Sequence, residues 1–207
     1  MGAYSPVSIA TPDLLGRVRR DILLPTLAEL GRQGAPFAGV LYAGLMISAD
    51  GRPRVVEFNC RFGDPETQAV LPLVSGGLFA CIEAITGGRR PSAMGHRPSA
   101  FAVTTVLASR GYPEKPEKGA AIPIPGILPD GVSVFHAGTT RDAAGTLRTA
   151  GGRVLNVTAV AATFREAQRQ SRAAADAVAY EGKVFRRDIG WREALRSATR
   201  VASGVTP

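Results

Sequence analysis

Apolar positions recur at helical spacing early in the chain: Leu14, Leu15, Val18, Ile22, Leu23, Leu27 and Leu30. Thr11-Pro12-Asp13 supplies a capping hydroxyl, a proline for the first turn and an acid for the positive end of the dipole, so a helix starts there and runs to about Gly34. Pro25 falls inside the pattern and predicts a kink or a second helix. Residues 1–10 read as extended loop. Residues 36–48 are almost continuously apolar and read as a buried strand. Ala49-Asp50-Gly51 is turn chemistry, and residues 54–60 read as the returning strand. Its period of two puts Val55, Glu57, Asn59 and Arg61 on one face and Val56, Phe58 and Cys60 on the other, with Cys60 expected in the core.

The second polar-to-apolar transition is Asp64-Pro65-Glu66, with Asp64 as the expected N-cap of a helix through residues 69–74. Gly76-Gly77 breaks it, and a further helix over 78–86 ends at Gly87-Gly88. Residues 89–99 are polar, contain His96, and read as a linker. Strands are then expected over 101–108, 120–124, 132–139, 147–150 and 154–161. Thr163 with Glu166 three residues on forms a capping box for a helix to about Tyr180. Asp188 is expected to anchor the C-terminal segment, and Trp191 to pack.

Composition narrows the class. A 207-residue chain with 45% hydrophobic and 20% charged residues excludes wholesale disorder. No apolar run reaches the roughly 18 residues of a membrane span, no secretory leader is recognised, and two cysteines make no disulfide framework; a cytoplasmic setting fits. The net charge of +8 invites a nucleic-acid reading, but the basic residues are scattered arginines without aromatic interleaving. They read as a solvated surface, some meeting small anions, so neither nucleic acid nor membrane is an expected partner.

Glu57 and Asn59, two apart on one strand face, put carboxylate and amide oxygens at one point, as Mg²⁺ or Mn²⁺ prefers. Arg61 beyond them could offset a phosphate, and Asp64 and Glu66 could hold an ammonium group. A strand end with satisfied polar side chains explains the same residues. His136 either meets a ligand or is a hydrogen-bonded structural residue. Gly151-Gly152-Arg153 either cradles an anion or makes a tight turn.

The run EFNCRFGDPETQ, Glu57 to Gln68, resembles the signature of the phosphoribosylamine–glycine ligases, ATP-grasp enzymes of purine biosynthesis. MGAYSP, FAGVLYAGLMISADG, FHAGT, TAGGRVLNVTA and RRDIGW read like that family in the same order. The resemblance implies an α/β (α+β) fold, the C-terminal part of an ATP-grasp domain over residues 1–90 followed by a small α+β domain over 98–200. It implies an ATP-dependent ligase: glycine's carboxylate is phosphorylated, then attacked by the amine of 5-phosphoribosylamine to give glycinamide ribonucleotide.

By the same resemblance Glu57 and Asn59 are the Mg²⁺ or Mn²⁺ ligands on the ATP phosphates. Arg61, Asp64 and Glu66 are catalytic candidates, and Thr67, His136 and Gly138 are substrate-binding candidates. One departure is that the preceding strand, Val40 to Leu45, offers no additional acid. The other is length: relatives are about twice as long, in keeping with several ordinary domains. A fragment lacking the N-terminal half, and inactive alone, is therefore expected. The rival is a non-catalytic module that needs a separately supplied N-terminal half.

Overall fold

The structure, a computed structural model, describes residues 1–89, 91, 94–97, 99–124 and 126–202. In chain order its elements are β1 (Gly2–Ser5), α1 (Pro12–Val18), α2 (Leu24–Arg32), β2 (Tyr42–Ile47), β3 (Pro53–Asn59), α3 (Glu66–Val70), β4 (Val74–Gly76), α4 (Leu78–Thr86), β5 (Gly95–His96) and β6 (Phe101–Ser109). There follow β7 (Val132–His136), β8 (Thr139–Arg141), β9 (Leu147–Thr149), β10 (Arg153–Ala161), α5 (Phe164–Ala177), β11 (Lys183–Val184) and α6 (Trp191–Ala202). The chain divides into two compact units. The first takes Met1–Pro6, Asp64–Leu73 and Arg97–Pro207, and the second Val7–Gly63 and Val74–His96.

In the first unit a five-stranded antiparallel sheet runs β1-β6-β10-β7, with β11 also on β6. β6 and β10 are almost wholly buried, with residues such as Val103, Leu107, Leu155 and Val157 in the core. Helix α5 lies on one face. It turns Ala167, Ser171, Ala174 and Ala175 inward, small residues that bring helix and sheet close. Ala69 and Leu73 join Ala102 in a separate cluster. Buried hydroxyls are paired as burial requires: Thr104 with Thr158 at 2.7 Å and Thr105 with Ser171 at 2.8 Å. Thr163 Oγ1 accepts from the Glu166 amide at 3.2 Å, while the Glu166 carboxylate takes Arg169 and Gln170.

The second unit carries the first helical run. Thr11 Oγ1 accepts from the Leu14 amide at 3.2 Å. A π-helical turn at Arg19–Leu23 runs directly into α2, and Pro25, which has no N–H to donate to the preceding turn, lies next to that irregularity. β2 and β3 form a hairpin closed at Gly51 (φ +75), a left-handed position that favours glycine.

Several expectations need correction. Gly2–Ser5 is a strand, not a loop, because β1 pairs with the distant β6. The apolar 36–48 stretch is regular only as β2, and it is not buried. Met46 (64% exposed), Val56 (68%) and Phe58 lie at the surface, because an apolar strand buries itself only when a layer covers it. Cys60 is exposed for the same reason. Asp64 is not the N-cap of α3; that position falls on Pro65. Residues 120–124 give a single bridge, Ala121 to Arg148, because Pro123 cannot extend a ladder. Part of the supposed linker pairs as β5 with β4. Trp191 is exposed, under the Arg192 guanidinium at 4.9 Å, and opens α6.

Candidate functional site

The hairpin of the second unit positions the two oxygen donors. Glu57 faces Gly44 across the ladder, and Asn59 faces Tyr42. A register shift at Gly44/Leu45 pairs Leu45 with Val55, so Val56 is an extra residue and strict alternation fails there. From Glu57 to Asn59 it holds: Asn59 Nδ2 donates to Glu57 Oε1 at 3.0 Å on an exposed face. A Cβ on Gly44 would stand 3.0 Å from Glu57 Cγ, so the glycine lets the carboxylate stem lie against β2.

Whether a divalent cation fits is a question of donor chemistry. The mutual bond uses Glu57 Oε1 and the Asn59 amide nitrogen and does not engage the oxygens Glu57 Oε2 and Asn59 Oδ1. Two hard oxygens, open to solvent, suit an Mg²⁺-type ion that keeps waters and shares phosphate oxygens. No group of three His, Cys, Asp or Glu able to hold a metal occurs among the described residues. Arg61 lies just beyond the strand, and its Nη1 donates to the Phe62 carbonyl at 2.9 Å.

The remaining candidates lie in the first unit. Asp64 is engaged at three of its oxygens. Arg153 Nη1 donates to its carbonyl at 2.7 Å and stands 3.3 Å from its Oδ2, and Gln68 Nε2 donates to its Oδ1 at 2.9 Å. Glu66 and Thr67 form the first turn of α3. His136 Nδ1 meets Thr139 Oγ1 at 3.0 Å, a local tie at the end of β7. Gly138 packs against backbone: a Cβ there would lie 2.6 Å from both the Arg153 carbonyl and Gly151 Cα. Likewise a Cβ on Gly152 would lie 2.3 Å from the Tyr112 ring. The glycines at 138, 151 and 152 thus close a tight turn, and the geometry favours that alternative over an anion cradle.

Arg153 was placed in that turn from sequence, but its use was not foreseen. It connects the turn, and so Gly138, to Asp64 across 89 residues, and no local signal marks such a bond. The His96 side chain lies outside the described residues.

Residues 1–67 match the description "Phosphoribosylglycinamide synthetase, ATP-grasp (A) domain", and residues 102–192 match "Phosphoribosylglycinamide synthetase, C domain". The chain belongs to the phosphoribosylglycinamide synthetase family. It is 45% identical over 199 residues to a phosphoribosylamine–glycine ligase of Xylella fastidiosa, and 46% identical over 197 to one of Nostoc. These alignments cover 96% and 93% of this chain but 46% of each relative, so the chain spans about half the length of the curated relatives it matches. The solved phosphoribosylamine–glycine ligase of Thermotoga maritima is similar at TM-score 0.78 and 37% identity, over 91% of this chain and 46% of that one. The biotin carboxylase domain of Hydrogenobacter thermophilus 2-oxoglutarate carboxylase, solved with ADP, magnesium and bicarbonate, is similar at TM-score 0.59 and 14% identity, over 89% and 40%. That likeness is one of fold alone. The fold class is α/β and ATP-grasp related. No described helix is long and apolar enough to cross a membrane.

Proposed function

We propose that this chain carries the cation-binding hairpin and the C domain of an ATP-dependent carbon–nitrogen ligase. Its residues 1–90 act as the ATP-grasp portion and 98–200 as the α+β domain. The substrates are glycine, ATP and 5-phosphoribosylamine, and the product is glycinamide ribonucleotide, formed in the cytoplasm. The observation that carries the reading is the Glu57–Asn59 pair, aligned at 3.0 Å on one exposed strand face within the run that resembles the family's signature.

A glycine carboxylate is a poor electrophile, so its oxygen must first become a leaving group. Phosphoryl transfer is served by positioning and by positive charge against developing negative charge. Glu57 and Asn59 would hold Mg²⁺ or Mn²⁺, which supplies that charge when bound. Arg61 contributes a second cation beside them, and its bond to its own neighbour's carbonyl fixes where the guanidinium stands. Asp64 and Glu66 would orient the ammonium group of glycine, and Thr67 would supply a hydroxyl at the start of α3.

The complementary partner in this reading is the rest of the ATP-grasp fold. The test measures ADP formation that requires both glycine and 5-phosphoribosylamine. It uses the 207-residue chain alone and mixed with the remaining part of the Xylella relative. Background rates alone and turnover in the mixture are expected. Full turnover by the chain alone, or ADP formation indifferent to glycine in the mixture, would overturn the proposal.

A further inference from the structure

Arg153 opens β10, where a register shift between Arg153 and Leu155 disturbs the ladder to β6. Its carbonyl accepts from the Gly138 amide at 2.8 Å, and the Gly138 carbonyl accepts from Ala150 at 2.7 Å. Gly151 packs against Gly138, and Tyr112 covers Gly152. The residue is thus fixed from both sides by a turn that tolerates no added side chain. Its guanidinium then leaves the sheet and reaches Asp64.

Asp64 begins a segment that cannot hold itself. α3 is only five residues long, far below what is stable in isolation. Ala69 anchors its far end in the core. At the near end, which carries Glu66 and Thr67, Pro65 is buried and Asp64 is joined to Arg153 and Gln68. We propose that Arg153 is a positioning residue: from the C-domain match it sets the place of Asp64, and through it the Glu66–Thr67 turn. This rests on the reading of that turn as substrate-contacting.

The pair is partly exposed, with side chains 33% and 41% accessible, so its coulombic share of global stability is small. What it supplies is local order. A residue that merely stabilised the sheet would show the opposite pattern, with loss spread over β6 and β10. Lysine is no substitute, because its ammonium ends short of the position Nη1 occupies.

The test is amide hydrogen exchange by NMR on the 207-residue chain, with Arg153→Met and Arg153→Ala. Exchange at 69–71, whose amides bond back onto residues 65–67 and close α3, should rise about tenfold, the scale expected for losing a charge-assisted hydrogen bond. Protection in β6 and β10 should stay as it was. Millimolar guanidinium, against matched sodium chloride, should restore protection in Arg153→Ala and not in Arg153→Met, whose side chain fills the slot. Unchanged exchange at 69–71, equal loss across β6 and β10, or no rescue would overturn the proposal. Because no metal, nucleotide or turnover enters the measurement, its failure is distinct from failure of the ligase reading.

Discussion

Replacing Gly138 by alanine adds one methyl where backbone already stands. The new carbon would lie 2.6 Å from the Arg153 carbonyl oxygen, 2.6 Å from Gly151 Cα and 2.8 Å from Gly151 N. None of these is the far end of a flexible side chain, so the 150–153 turn itself must move by the better part of an ångström. Overpacking of this kind costs about 1–3 kcal/mol. The shift also weakens the bonds from Gly138 N to Arg153 O and from Ala150 N to Gly138 O, each contributing about 1 kcal/mol. The sum is about 3 kcal/mol, or a fall in Tm of about 6–12 °C for a chain of this size. Trp191, the only tryptophan, lies in the first unit and reports its unfolding by fluorescence. Gly16→Ala is the control: nothing stands within 4 Å of its added carbon, and in the helix α1 it should stabilise slightly. An unchanged midpoint for Gly138→Ala would refute the claim that backbone packing explains this glycine, and would favour a ligand lying there instead.

Asn156 is fully buried in β10, and neither its amide nitrogen nor its oxygen has a hydrogen-bond partner. Asn156→Val should therefore raise stability by about 1–2 kcal/mol in urea unfolding, and destabilisation would show that the amide is satisfied in solution. Lys183 Nζ donates to the carbonyls of Ala175, Asp176 and Val178 at the end of α5. Lys183→Met should lower stability by about 2 kcal/mol, and an unchanged midpoint would deny the cap. Asp142 is held below the ordinary carboxylate range by Arg148, then by the Thr146 amide. With a folded pKa below the unfolded value of about 3.9, its contribution is complete above that value and is lost as pH falls below it. Asp142→Asn should flatten that part of the acid-unfolding curve, and an unaltered curve would contradict the assignment.

What was legible in the sequence was local. Thr11 and Thr163 cap the helices they precede, and Gly51, Gly77 and Gly87 sit at the turns and helix ends where their spacing put them. Glu57 and Asn59 share a face because they stand two positions apart on a strand, a matter of geometry alone. What was not legible depends on distant partners. β1 is a strand because Ala3 lies opposite Thr104. Arg153 acts at Asp64 because a turn built from three glycines aims it there. Cys60 and Val56 look like core residues in a one-dimensional pattern, yet nothing in the pattern says whether a layer covers them.

The cation site proposed for Glu57 and Asn59 is most directly tested with Mn²⁺ and NMR, since paramagnetic broadening detects even weak binding by its location. Titrating the 207-residue chain should broaden the amides of residues 42–46 and 56–60 first. Glu57→Gln and Asn59→Leu should each abolish that broadening while Gly16→Ala leaves it intact. Broadening centred elsewhere, or undiminished in both variants, would contradict a metal role for this strand face.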